Sequence, residues 1–238
     1  MVNFLRNKAI LNFYEAIYPY LKTSLHVESE LPGRKAMVFA PHADDEAIGC
    51  GGTILKHNLS GGESFCVYMT DDGPQRRAEA AKAAELLKFH KVENFGYGVE
   101  TLSSAGDLHE RLAGILNREN PEVVFVPFVL DNHSDHRALN SALFKASDMI
   151  AGNPMVYAYP VWSPLYPNLL VDIEEVWDAK KAAIECYKSQ TATRDYVSMA
   201  YSLSKYWSTV KGGGLKLAEN FFRMSLKKYA ELGRKLGA

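Results

Sequence analysis

From position 35 onward, short apolar runs alternate with stretches of helical periodicity. The runs fall at 36–40, 65–69, 123–126 and 155–159, and the helical stretches at 47–59, 77–89, 108–117 and 137–150. Repetition of strand, helix and strand implies right-handed crossovers and parallel strands buried on both faces. The pattern predicts an α/β chain, a Rossmann-like three-layer sandwich with a mostly parallel sheet. In such sheets functional groups gather where strands end at their carboxyl edge.

The two ends depart from this rhythm. Phe4, Ile10, Leu11, Phe13, Tyr14, Ile17, Tyr18 and Leu21 recur at roughly helical spacing, predicting an amphipathic N-terminal helix. Residues 1–34 read as that helix and a linker, and 35–238 as a single domain. Packing of the helix on the body is the plain expectation. Aromatic residues beside Arg6, Lys8 and Lys22 make contact with a membrane surface the alternative. Beyond Tyr159, Pro160, Pro164 and Pro167 break up an aromatic stretch, followed by a short strand at 169–173 and a helix at 174–188. The remainder reads as helical, interrupted at Gly212-Gly213-Gly214 and ending in a basic amphipathic stretch at 217–236.

Chemistry concentrates after two of the apolar runs. Pro41-His42-Ala43-Asp44-Asp45-Glu46 directly follows the first, and a glycine-rich segment, Gly49-Cys50-Gly51-Gly52, comes next. A glycine-rich turn from strand to helix suggests a dinucleotide site. Three carboxylates at the helix start contradict that, because they repel a phosphate and attract a cation. Capping of the helix accounts for one acid, not for three beside a histidine. The second cluster, Asp131-Asn132-His133-Ser134-Asp135-His136, follows the run at 123–126. One helical turn presents His133 and His136 on the same side. Together the clusters offer two histidines and a carboxylate to a metal with a position left open for water. That donor set fits catalytic zinc and also non-haem Fe2+. Zinc is favoured because the spare Asp44 and His133 suit proton transfer in hydrolysis.

Composition narrows the classes further. At 238 residues, with 47% hydrophobic and 23% charged residues, the chain resembles an ordinary globular protein. Lys+Arg 27 against Asp+Glu 28 gives a net charge of -1, so no nucleic-acid partner is expected. Cys50, Cys66 and Cys186 lie far apart, without metal-ligand spacing or the look of a disulfide framework, and point to a reducing cytoplasmic location. No apolar run approaches the roughly 18 residues of a membrane span, and the N-terminus lacks the order of a signal peptide.

The two motifs resemble those of the LmbE/PIG-L family of zinc-dependent sugar N-deacetylases, usually His-Pro-Asp-Asp-Glu and His-x-Asp-His. Ala43 and Ser134 stand where proline is usual. Thr70-Asp71-Asp72-Gly73 with Arg76 and Glu79, then Lys180, Ser189-Gln190 and Ala218-Glu219-Asn220-Phe221, are similar to later family segments, although Tyr187 stands where many members have histidine. The resemblance implies that His42, Asp45 and His136 hold Zn2+, with Asp44 as general base. It further implies that His133 stabilises or protonates the tetrahedral intermediate, that Asp135 orients His133, and that Glu46 supports the loop or helix start. Arg76 would sit near the substrate, or else pair with Glu79 on a solvated helix. The implied activity is removal of an N-acetyl group from an N-acetylglucosamine-type sugar in a glycoconjugate, releasing acetate. Trp162, Tyr159 and Tyr166 either stack on that substrate or simply pack in the core. A metal-dependent phosphoesterase using Asp71, Asp72 and Asp131 for a second metal is one competing reading. A non-catalytic sugar- or lipid-binding relative is the other.

Overall fold

The computed structural model describes Lys8, Asn12, Phe13 and residues 25–237. Its sheet has eight strands: β1 (His26–Glu28), β2 (Lys35–Ala40), β3 (Glu63–Thr70), β4 (Lys91–Tyr97), β5 (Val123–Pro127), β6 (Met155–Tyr159), β7 (Leu169–Asp172) and β8 (Ala218–Ser225). Their order is β1-β7-β8-β6-β5-β2-β3-β4, and only the pairings of β8 are antiparallel. Helices α1 (Asp45–Leu59), α2 (Pro74–Leu86), α3 (Leu108–Glu119) and α4 (Ser134–Ala146) alternate with the central strands. The later helices are α5 (Trp177–Glu185), α6 (Lys188–Thr191), α7 (Tyr196–Lys211) and α8 (Leu226–Leu236).

The central strands are near-continuous apolar runs because each is covered on both faces. Alternate residues diverge to opposite sides. Met37, Phe39, Val124 and Val126 join the core under α3, α4 and α8, whereas Ala36, Val38, Val123 and Phe125 join the one under α1, α2 and α5. This is the expected three-layer α/β sandwich. Of the predicted N-terminal helix, Lys8, Asn12 and Phe13 are helical, and the rest lies outside the described residues. Phe13 is buried against Phe128 and Phe222, with ring centroids 5.1 and 5.6 Å away. Among the described residues no helix is long and apolar enough to cross a membrane.

The C-terminal expectation needs correction. The stretch at 217–236 is not one helix: β8 takes its first half and α8 its second. The pattern misleads because Glu219 and Asn220 are polar yet buried inside a strand. The Glu219 carboxylate accepts from the Gly52 and Thr53 amides and pairs with buried Lys180, whose ammonium also donates to the Ile48 carbonyl. The pair thus locks α1, α5 and β8 together. Short β1 forms an edge strand within the segment that reads as linker, and β4, mixed in polarity and nowhere fully buried, carries no apolar run to announce it.

The glycine run serves packing rather than a phosphate cradle. Gly49 lies inside α1, where a Cβ would overlap the Tyr159 ring. On an exposed helix, Gly→Ala gains about 1 kcal/mol; here overpacking costs about 1–3 kcal/mol and outweighs it. Gly49→Ala is therefore expected to lower the urea midpoint, and a midpoint at or above wild type would contradict this packing.

Candidate metal centre

Strands β2 and β5 are neighbours, paired at Val38 and Phe125. The chain leaves β2 toward β3 and β4 on one side, while β5 and β6 lie on the other. The carboxyl ends of β2 and β5 therefore flank a topological switch point, the crevice where open α/β sheets place ligands. The segment after β2 carries His42, Asp44 and Asp45, and the segment after β5 carries Asp131, His133, Asp135 and His136. The fold brings both predicted clusters together across 90 positions of sequence.

Asp45 is the hub. Its Oδ2 lies 3.3 Å from His42 Nδ1 and 3.2 Å from His136 Nε2, and also accepts the His42 amide at 2.9 Å. His136 is wholly buried, and among the described residues neither ring nitrogen has a well-aligned hydrogen bond. Donor atoms around a tetrahedral ion with bonds of about 2.0–2.1 Å stand about 3.3 Å apart, so these side chains fit a metal. Behind them, His42 Nε2 meets Asp135 Oδ2 at 3.0 Å and His136 Nδ1 faces Asp131 Oδ1 at 3.2 Å. Carboxylates in those positions fix the tautomer of ligating imidazoles. His133 also stands close enough for the imidazoles of His42, His133 and His136 to form a candidate ligand trio, with ligand atoms within 4.8 Å of one another.

Asp135 corrects one expectation. Its carboxylate turns to His42 and to the Glu100 and Leu102 amides, not to His133. Only the Asp135 backbone N–H reaches His133, donating to Nδ1 at 3.2 Å as the cap of α4. With Nδ1 accepting, a neutral His133 carries its proton on Nε2. Burial, then the charges of His42 and His136, lower the His133 pKa, favouring that neutral form.

The acids at the start of α1 are divided among separate partners. Asp44 makes no side-chain cap bond; its Oδ2 meets the Arg76 guanidinium at 2.9 Å. Arg76 is buried, also donates to the Ala43 carbonyl, and lies 5.6 Å from the centre of the Tyr187 ring. Glu79 instead accepts from Ser189, so the solvated Arg76–Glu79 pair is absent. Burial, then the adjacent Asp45 charge, push the Asp44 carboxyl up to about 8 against the pull of Arg76. Burial opposes ionisation of Asp45 too, yet His136 and His42 hold it well below the usual carboxylate range. Burial opposes the charged His42 ring as well, but Asp135 and Asp45 raise it to about 10.

Glu46 supports the loop as expected: it accepts the Asp44 amide at 3.1 Å and the Tyr187 hydroxyl, which in turn lies 3.3 Å from the Tyr68 hydroxyl. That amide belongs to a residue at φ 150°, a conformation L residues avoid. The Tyr68–Tyr187 link was not foreseen, because two apolar-looking positions 119 apart give no local signal. The acids considered for a second metal disperse: Asp71 pairs with Arg77, and Asp131 serves His136 and the His133 and Trp162 amides. Trp162 lines up beside His133, ring centroids 6.3 Å apart, while Tyr159 is fully buried.

Residues 37–147 match the family model PIG-L: GlcNAc-PI de-N-acetylase. Diacetylchitobiose deacetylase of Thermococcus kodakarensis is 29% identical over 187 residues, 66% of this chain and 70% of that one. A 4-oxalmesaconate hydratase of Pseudomonas putida is 28% identical over 214 residues, 75% of this chain and 82% of that one. The solved N,N'-diacetylchitobiose deacetylase of Pyrococcus horikoshii has the same fold, with a TM-score of 0.72 and 23% identity over 83% of this chain and 86% of that one.

Asp135→Asn should weaken divalent-cation binding about 10–100-fold through loss of the charged partner of His42. Competition with a chromogenic chelator reads this directly. Unchanged affinity would show that Asp135 does not brace a ligand.

Proposed function

We propose, on the match of residues 37–147 to the PIG-L family model, that the chain is a metal-dependent hydrolase that removes the N-acetyl group of an N-acetylglucosamine-type sugar, releasing acetate. The observation that carries the reading is the Asp45 carboxylate shared between His42 and His136, with Asp44 and His133 beside it but not consumed by it. His42, Asp45 and His136 are the assigned ligands. Asp45 is preferred to His133 as the third because its oxygen already sits at ligand spacing from both imidazoles, whereas His133 is only half-buried and caps α4. Zn2+ suits the nitrogen and oxygen donors, and Fe2+ shares that preference. When bound, such an ion lowers the pKa of water toward neutrality and polarises a carbonyl.

The chain supplies the rest. Asp44, held by Arg76 through one oxygen, accepts the proton of the attacking water as its oxygen bonds to the acetamide carbon. His133 Nε2–H donates to the carbonyl oxygen as negative charge develops there. Asp44 then returns the proton to nitrogen, the C–N bond breaks, and the free amine and acetate leave. Neutral His133 serves as the donor, in place of the protonated form expected from sequence.

The hydratase likeness supports a second reading, because a site that orients water also serves addition to a carbon–carbon double bond. A panel of N-acetylated sugars and unsaturated dicarboxylates, with and without chelator, separates the two. Chelator-sensitive acetate release is expected; loss of unsaturated-acid absorbance without acetate would overturn the deacetylase. Asp44→Asn should keep the metal and lose about 10²–10⁴ in kcat, while His136→Ala should lose metal and activity together. Wild-type turnover by Asp44→Asn would remove the assigned base.

A further inference from the structure

A cavity of about 500 Å³ opens beside the catalytic centre and runs between α2 and the outer strands β3 and β4. Its inner end is formed by His42, Ala43 and Arg76, and its outer end by Phe89 and Val92. It exists because α2 packs beside β3 and, among the described residues, the Val92 face of β4 is left open, while its other face packs Phe95 and Tyr97 on the core. Val92 shares a face with Cys66, its register partner in β3, yet is 44% exposed. Arg76 to Glu85 covers about 13 Å along the helix, so the groove extends well past the reacting atoms.

Its lining specifies an occupant. The helix wall is Ala80, Ala81 and Ala84, and Tyr68 and Val92 face them from the sheet. Two cations at the rim are already engaged: Arg77 with Asp71 at 2.5 Å, and Lys91 with Glu93 and Glu119 at 2.9 Å. An anionic group would have to displace those partners. Among the described residues buried Arg76 Nη1 has no hydrogen-bond partner, which leaves a donor at the catalytic end. The arrangement suits a ligand with a polar head at the centre and a neutral apolar body beyond it.

We propose that this groove binds the apolar aglycone of the substrate, making the chain selective for N-acetylated sugars joined to an alkyl or aryl group. The sugar end of this proposal rests on the deacetylase reading; the groove itself does not. Apolar walls joined to polar groups are the usual form of a small-molecule site. Here Ala80, Ala84, Phe89 and Val92 supply apolar wall, with Asp72, Glu85 and Asn94 also in the lining, and each methylene removed from water against that wall adds affinity.

The test uses the whole chain and calorimetric binding of methyl, butyl and octyl 2-acetamido-2-deoxyglucosides, without turnover. Wild type should bind the octyl glycoside at least about tenfold more tightly than the methyl one. Ala81→Trp fills the groove from an exposed helix position and Val92→Asp places a charge in it; both should erase the chain-length gradient while methyl-glycoside binding stays within about twofold. A flat gradient in wild type, or a gradient that survives both variants, overturns the proposal. Sedimentation of the same proteins adds one further outcome: an oligomer that Ala81→Trp dissociates would make a second copy the occupant and overturn it too. Acetate release from the methyl glycoside is measured in parallel. Its absence with the gradient intact removes the deacetylase reading and leaves the groove standing; its presence without a gradient does the reverse.

Discussion

Three consecutive carboxylates buried at one helix start constrain everything around them. Asp44, Asp45 and Glu46 are at most 7% exposed, and charges taken out of water at such spacing are costly unless each finds its own partner. The fold supplies three different solutions. Asp45 lies between two imidazoles, Asp44 faces a guanidinium, and Glu46 accepts a phenol hydroxyl and a backbone amide. Those partners come from the segment after β2, from α2, from α4 and from the segment before α6, so the requirement draws together parts of the chain far apart in sequence. Burial in an environment of this kind is also what separates the protonation behaviour of neighbouring acids. Asp45 is held ionised, whereas Asp44 and Glu46 are pushed up, to about 8 and about 7.

The central sheet was legible because its strands are buried on both faces and therefore apolar at nearly every position. Where burial is partial or polar, the signal fails. Strand β4 mixes polar and apolar residues and has no fully buried position, and β8 hides Glu219 behind Lys180, so neither presents a run of hydrophobic residues. Alternation of strands and helices placed both motif clusters at strand ends, and adjacency of β2 and β5 then made a single site of them. The motifs carry His42, Asp45, His133 and His136, which the structure draws close to one another. They did not reveal which carboxylate serves which imidazole, because that depends on side-chain direction across two loops. Asp135 is next to His136 in sequence and two residues from His133, yet its carboxylate reaches His42, 93 positions away.

Arg76 illustrates how burial decides between roles for one side chain. Read on a helix surface, the Arg76 and Glu79 spacing suggests an ion pair worth a few tenths of a kcal/mol. Inside the fold the two diverge, Arg76 inward to Asp44 and Glu79 across to Ser189. The guanidinium thereby sits between Asp44 and the outer groove. One side chain holds the acid proposed as the base and borders the groove proposed for the rest of the substrate.

Tyr187 stands where many members of the family the sequence resembles have histidine, and either residue can present one polar hydrogen at the end of a rigid ring. Here that hydrogen is given to buried Glu46, and the other Glu46 oxygen receives the amide of Asp44, whose backbone is held at φ 150°. A non-donor in place of Tyr187 would leave a buried carboxylate short of a partner next to the residue assigned as base. What Tyr187 supplies is a donor reaching Glu46 from the α5–α6 junction, with its ring beside Arg76 and its hydroxyl beside that of Tyr68.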